Sequence, residues 1–378
     1  LTSPGLRSRE HSAAPDALDV AVVGGGIVGC AIVAEASRRG LRALLIEREA
    51  GVGRGATSRN SGVLHSGLYY EPGSLAARTC VRGQALSYEL AARRGVPHRR
   101  TGKLVVAFDG PEIEALRGLL ENAEASGAPG VRWVNGAEAQ GFEPSLRLPR
   151  AAIWCPETGI VDAVGLAAAY AADAADAWAI VALGARLLGA APRGDHLALD
   201  TTRGPVVAAR LVNAAGLDAP AVAALLGDTA PPIWPCRGDW FSVRTARAPT
   251  RLLYPVRVPG QVGLGVHVCL DLGGGLRLGP DARFIDAGRP ADPAAPPDGL
   301  LDAFRVAGER LLGPLAAADL AWDGYAVRPR LRGPDNPGPT EFRIARGDSG
   351  AIHLFGIESP GLTAAPALAE EVVQRLLP

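Results

Sequence analysis

Apolar residues gather in short blocks along this chain, and their spacing changes from block to block. Leu18 to Val23, LDVAVV, is an unbroken apolar run that leads straight into glycines, which predicts a buried parallel strand. IVGCAIVAEASRRG then carries apolar positions at helical spacing and stops at Gly40, and LRALLIERE is a second apolar run ending at Glu47. Together they make one strand–helix–strand unit of about 30 residues, the usual size. Pro111 to Gly127 reads as an amphipathic helix with Ile113, Leu116, Leu119 and Leu120 on one side. ETGIVDAVGLAAAYAADAA predicts a turn and then a long helix from about Asp162, and HLALDTTRGPVVAARLVNAAG predicts a hairpin followed by a buried strand. WFSVRT, RLLYPVRV, VGLGVHVCL and GGLRLGP alternate as antiparallel strands do. Ala287 to Gly299, rich in Pro, Asp and Ala, predicts a surface loop; GAIHLFGI predicts a late strand, and Leu362 to Leu377 a final helix.

The order of these elements predicts an α/β fold: a Rossmann-type nucleotide-binding domain assembled from separated segments, with an antiparallel-sheet domain inserted. The expected division is a loose tail over 1–16, a nucleotide-binding domain over 17–82, 150–232 and 323–378, and a substrate-binding domain over 83–149 and 233–322. No internal repeat is visible.

Composition narrows the function. Lys+Arg and Asp+Glu are both 39, so the formal net charge is zero, which argues against nucleic acid as the main partner. The five cysteines, Cys30, Cys80, Cys155, Cys236 and Cys269, are widely spaced. They offer no CxxC pair and no zinc spacing, so no metal site is expected, and reduced thiols suit a cytoplasmic protein. The Ala-rich stretch Leu166 to Ala191 carries Asp173, Asp176 and Arg186, which a membrane span disfavours. No integral membrane segment is expected; a peripheral contact at the inner face of a membrane stays open.

Gly24-x-Gly26-x-x-Gly29 stands between the predicted strand and helix. The first glycine permits a tight turn, the second lets the backbone approach a pyrophosphate, and the third lets helix and strand pack closely. The helix start offers N–H groups and a positive dipole end to phosphate. Glu47, at the end of the next strand, can accept hydrogen bonds from both hydroxyls of a ribose and would repel a 2′-phosphate. Strand, helix, spacing and carboxylate agree on a dinucleotide, and the motif alone fits FAD and NAD equally.

The next segment separates them. In a nicotinamide enzyme another helix and strand would follow Glu47. Here GVGRGATSRNSGVLHSGLYYEPGS is dense in small polar residues. A run such as Thr57, Ser58, Asn60, Ser61 and Gly62 can follow the middle of an extended cofactor with hydroxyl and backbone contacts. That fits FAD, whose ribityl chain and flavin lie far from its adenine.

NSGVLHSGLYYEPGSLAARTCVRG followed by TGKLVVA resembles the L-2-hydroxyglutarate dehydrogenase/oxidase family, within the wider D-amino-acid-oxidase-like flavoproteins. The resemblance continues through PETGIVD, LVNAAG, LLYPV, LGVHVCLDLGGGLRLGPDA, GYAVRPRL and FGIESPGLTA, so it spans nearly everything from Asp19 onward. It implies oxidation of a small 2-hydroxy acid, L-2-hydroxyglutarate or a relative, to the 2-keto acid with FAD as cofactor. The chain departs from the family at AVRPR and GIESP, where many members read Gly-Ile/Val-Arg-Ala-Gln and Ala-Pro-Ser-Pro. It is similar to a bacterial side branch. The alternative on the same fold is an amine or amino-acid oxidase of glycine or sarcosine type.

Oxidising a 2-hydroxy acid requires a base for the hydroxyl proton and a cation for the carboxylate. Of six histidines, His65 and His267 lie in the blocks that carry the resemblance, one in each expected domain, and either can be the base. Arg328, in GYAVRPRL, is the expected carboxylate clamp, since similar flavoproteins place such an arginine beside the substrate's anionic group. Tyr69 and Tyr70 either line the pocket or pack. Asn213 to Gly216 ends a strand with small residues, as expected where backbone lies close to the cofactor, and the resemblance places the helix start at Gly361, Leu362 and Thr363 at the flavin's carbonyl edge, where its dipole favours the anionic reduced ring. Quinone, dioxygen or a carrier protein all suit such an enzyme as electron acceptor.

Overall fold

The apolar run Leu18–Val23 forms a strand whose last four residues are buried, as a strand covered on both faces should be. It pairs in parallel with Ala43–Glu47 on one side and Val206–Asn213 on the other. Ile180–Leu183 extends the first edge and Ile352–Phe355 the second, both in parallel. The register sets Val23 beside Ile46 and Asn213, so the strands end level and Gly24, Glu47 and Ala214 emerge at one edge. Ligands of open parallel sheets bind outside such a carboxyl edge. The computed structural model describes residues 17–246, 248–257, 263–285, 295–336 and 341–377. The expected tail, and residues 287–294 of the expected surface loop, lie outside the described residues.

Three helices, Ile27–Arg38, Ala163–Asp176 and Gly361–Gln374, cover one face of this sheet. Val20, Val22, Ile32, Leu166, Ala369 and Val372 form part of the core between them. The third helix also packs against Leu75–Arg94, a helix not anticipated from the pattern, though its ends were readable. Ser74 caps it by accepting from Ala77 N at 3.2 Å, and Gly95 closes it in the left-handed region at φ 67°. Gly83 on this helix is in close backbone contact: a Cβ there would lie 2.2 Å from the Thr363 carbonyl oxygen.

Among the described residues the second sheet has nine strands and is mostly antiparallel. One expectation changes within it. Leu252–Pro255 pairs antiparallel with Val268–Leu270 but parallel with Lys103–Ala107, a long-range pairing that local alternation cannot reveal. Pairing and packing also move three expected boundaries. Ala151–Cys155 pairs with Lys103–Ala107, so it belongs to the inserted sheet. Leu320–Arg330 pairs along Trp234–Val243, so a division at residue 323 falls inside one strand. Residues 83–94 lie in the helix that packs on the nucleotide-binding part. Among the described residues no helix is long and apolar enough to cross a membrane. All five cysteines are buried and free.

Candidate active site

One cavity of about 820 Å³ runs from the carboxyl edge of the parallel sheet to the nine-stranded sheet. At its first end lie Gly24, Gly26, Glu47, Ala214 and Gly216. At its second lie His65, His267, Arg328, Tyr69 and Tyr254, with Gly361 and Leu362 between the two structural parts.

The fingerprint glycines divide their tasks as their contacts dictate. Gly24 has φ 106°, and a Cβ there would sit 2.6 Å from the Ala214 carbonyl oxygen. Gly29 allows no Cβ, since one would sit 1.9 Å from the Gly24 oxygen; it packs helix on strand and does not line the cavity. Gly26 is different: the nearest atom to a Cβ would be Thr57 Oγ1 at 3.5 Å, and the residue faces the cavity. It leaves room for a ligand, whereas the other two leave none for a side chain. Glu47 is nearly buried. Its Oε2 accepts from Gly25 N at 2.5 Å and its Oε1 from Glu49 N at 2.7 Å. Each carboxylate oxygen retains a further lone pair for a ribose hydroxyl. The Ala214–Gly216 turn is held by Asn213, whose Oδ1 accepts from Ala215 N at 3.2 Å. Asn213 in turn meets the His353 ring at 3.0 Å, and His353 meets Asp228 at 2.9 Å.

The loop 57–62 lines the cavity through fewer side-chain atoms than expected. Thr57 Oγ1 accepts from Ile27 N at 3.0 Å and so occupies one of the free donors at the helix start. Asn60 braces the loop itself, donating to the Thr57 carbonyl at 2.7 Å and accepting from Gly62 N at 2.7 Å. Ser61 receives Trp240 Nε1 at 3.3 Å, a bond from the nine-stranded sheet. Thr57, Asn60 and Ser61 line the cavity; Ser58 and Gly62 do not. Ser58 is exposed, with its hydroxyl donated to the Arg54 and Gly55 carbonyls, and Gly62 lies against the Val161 carbonyl. Thr363 is also corrected. Its side chain is fully buried, donating to the Val63 carbonyl at 3.3 Å and accepting from His65 N at 3.0 Å, so it anchors the histidine segment and is turned away from the cavity.

His65 and His267, from different structural parts, converge on the second end of the cavity. His267 Nδ1 lies 2.8 Å from the Gly265 carbonyl, which can only accept, so Nδ1 carries the proton and Nε2 the lone pair. Its ring stacks on Tyr254 at 3.8 Å. Burial chiefly, with repulsion from Lys103 and Arg328, pulls its pKa down to about 3 against the Gly265 bond. His65 is likewise pushed well below the ordinary histidine range, first by burial and then by Lys103 and His267. Its Nδ1 is buried with no partner among the described residues. Two neutral imidazoles therefore share one cavity wall, each with a nitrogen lone pair free of a proton. Arg328 donates from both terminal nitrogens to the Asp281 carbonyl at 3.2 Å, which aims the guanidinium from the edge of the sheet. Asp281 is itself fixed: its carboxylate accepts from Asp239 N at 2.6 Å and from Arg283 Nε at 2.6 Å. Tyr69 lines the cavity, and the turn that carries it is held by Asn122, which donates to the carbonyls of Leu68 and Tyr70 at 2.7 and 2.8 Å. Tyr70 reaches Ser359 at 3.4 Å.

Sequence reasoning missed Tyr254, Lys103 and the Arg330–Glu358 pair (3.1 Å). RLLYPVRV reads as ordinary strand and TGKLVVA only as part of the resemblance, and it is their pairing that brings Tyr254 and Lys103 to the histidines.

The cavity is continuous from the glycine turn to the histidines. The protein-family model described as FAD dependent oxidoreductase matches residues 19–375. The chain belongs to that family. FAD is therefore its cofactor, and its substrate is a small molecule. The chain of this FAD dependent oxidoreductase is 31% identical to the mitochondrial L-2-hydroxyglutarate dehydrogenase of Arabidopsis thaliana, over 99% of this chain and 86% of that one. Among solved structures it is similar to L-alpha-glycerophosphate oxidase from Mycoplasma pneumoniae with FAD bound. The TM-score is 0.85 and the identity 24%, over 96% of this chain and 95% of that one. Glycine oxidase from Geobacillus kaustophilus gives a TM-score of 0.77 at 24% identity, over 95% of each chain. Both show the fold.

Glu47 holds Gly25 N and Glu49 N at the cavity wall, and if it also accepts from a ribose, Glu47→Ala should weaken FAD retention by about tenfold or more, the loss expected for charge-assisted hydrogen bonds. Flavin fluorescence released on dilution measures it; unchanged retention would remove Glu47 from the cofactor site.

Proposed function

We propose that this flavoprotein oxidises a small 2-hydroxy acid, L-2-hydroxyglutarate or a near relative, to the 2-keto acid. The observation that carries this reading is the convergence of Arg328 with two buried, neutral imidazoles, His65 and His267, at one end of the cavity. FAD, when bound, supplies the acceptor for the hydride of the α-carbon. Arg328 clamps the substrate carboxylate with paired hydrogen bonds. An unprotonated imidazole nitrogen, His267 Nε2 or one of His65, takes the hydroxyl proton. Tyr69 and Tyr254 form the wall that keeps water from the reacting carbon. The same kind of relative as the plant dehydrogenase supports the substrate class.

Anaerobic titration of the purified yellow protein with a panel of 2-hydroxy acids and amino acids tests the proposal. Bleaching of the flavin band by L-2-hydroxyglutarate or a close analogue is expected. Bleaching by glycine, sarcosine or another amino acid instead would overturn it in favour of amine oxidation. In the same assay Arg328→Ala should keep its FAD and lose roughly 30-fold or more in kcat/KM, the equivalent of about 2–5 kcal/mol for a charge-assisted contact. Near-wild-type efficiency would eliminate the clamp.

A further inference from the structure

Of the 39 lysines and arginines in this chain, one is a lysine, Lys103. It opens the strand Lys103–Ala107 and is fully buried. Its Nζ has no hydrogen-bond partner among the described residues. The ammonium lies over the Tyr69 ring at 4.7 Å and the Tyr254 ring at 5.0 Å. Both tyrosines line the cavity, and Tyr254 stacks on His267. Lys103 itself does not line the cavity, so its charge stands behind the aromatic wall.

The groups around it explain what that charge can do. Cys155 approaches from the strand paired with it and Cys80 from the helix Leu75–Arg94, and burial pushes their thiols up to about 11 and about 12. Both are therefore neutral at ordinary pH. Tyr69 and Tyr254 are held well above the ordinary phenol range by burial and are neutral too. The titratable groups that remain are His65 and His267, and both are repelled by Lys103. Arg328 adds to that repulsion at His267. Burial draws the Lys103 ammonium below its ordinary value. An unpaired ammonium is costly to bury, and two ring faces offset only part of that cost. A methionine of similar length would pack there without that cost. A guanidinium, planar and carrying five donors, is a poor replacement in a site with no acceptor, which fits the presence of lysine in a chain that otherwise uses arginine.

We propose that Lys103 is a positioning residue: its ammonium, fixed behind the Tyr69–Tyr254 wall, sets a positive charge behind the imidazoles of His65 and His267 and, together with their burial, opposes a second positive charge there. The use made of those imidazoles rests on the oxidation proposed above; the electrostatic coupling does not.

The single lysine makes the test direct. Holoenzyme carrying isotope-labelled lysine should give one side-chain amine resonance, and it should report the ammonium form at pH 7. A neutral amine at that pH would overturn the proposal. Holoenzyme with labelled histidine rings should then be titrated as wild type and as Lys103→Met, with flavin content and thermal midpoint checked. The pKa values of His65 and His267 should rise by about one pH unit in the variant. Unmoved values would overturn the proposal; Lys103→Gln, also uncharged, gives the same reading if the methionine variant does not fold. This titration needs no substrate, so it stands apart from failure of any 2-hydroxy acid to react. Where the acid is oxidised, the acid limb of kcat/KM should move upward by the same amount in the variant. A limb that stayed in place while kcat fell would mark Lys103 as merely structural.

Discussion

Gly26→Val is expected to yield a folded protein that purifies without FAD. Among the described residues beyond its chain neighbours, Thr57 Oγ1 at 3.5 Å is the nearest atom to a Cβ at this position. The valine instead fills the space where the backbone must approach a pyrophosphate at the start of the helix Ile27–Arg38. The neighbouring change separates binding from folding. Gly29→Ala places a methyl group 1.9 Å from the Gly24 carbonyl oxygen, inside the strand–helix turn itself. It should lower stability by about 1–3 kcal/mol, the usual cost of overpacking, as well as disturb the cofactor. Flavin absorbance per protein and the thermal midpoint, measured on both variants, check this pair. Retention of FAD by Gly26→Val at wild-type stoichiometry would remove the pyrophosphate from this turn.

The second large effect concerns the imidazoles. On the proposed mechanism, replacing the base by His267→Gln or His65→Gln should lower kcat by about 10²- to 10⁴-fold with FAD retained, the range of general-base catalysis. A loss in one variant alone identifies the base. The pH profile supplies an independent sign. Burial depresses both histidines, so the proton-accepting form persists below the ordinary histidine value of 6.5. Wild-type kcat/KM should therefore stay level through pH 6.5 on descending pH and fall only below it. An acid limb centred at or above 6.5 would contradict neutral, buried imidazoles, and near-wild-type turnover in both variants would exclude them as the base.

Much of the nucleotide end was readable because it is local. The turn between Leu18–Val23 and Ile27–Arg38 needs glycines within six residues of one another, and the side chain of Glu47 closes the same turn. The final helix and its start at Gly361 were equally local. Side-chain roles in the loop 57–62 were less legible. Thr57 and Asn60 carry the chemistry of cofactor contact, yet Ile27 N and Gly62 N claim their oxygens first, because a Gly-rich loop leaves backbone donors that must be satisfied. The Thr363 hydroxyl is likewise taken by the Val63–His65 backbone.

By itself the sequence determined the strand–turn–helix at Gly24 to Gly29, the need for FAD over NAD, and the candidate residues His65, His267 and Arg328. Each rests on covalent neighbours, on glycine's φ freedom, or on chemistry that few side chains possess. Only the tertiary structure decided which of these residues share a cavity wall, where the two parts divide, and what lies behind the wall. Leu320–Arg330 could join either part until its pairing along Trp234–Val243 placed Arg328 opposite Cys236. Lys103 and Tyr254 reach the histidines through a parallel pairing of segments about 150 residues apart in sequence, a contact that carries no local periodicity. Strand propensity tells a segment to extend; the choice of partner comes from burying both faces of the finished sheet, and that choice gave the site its charge.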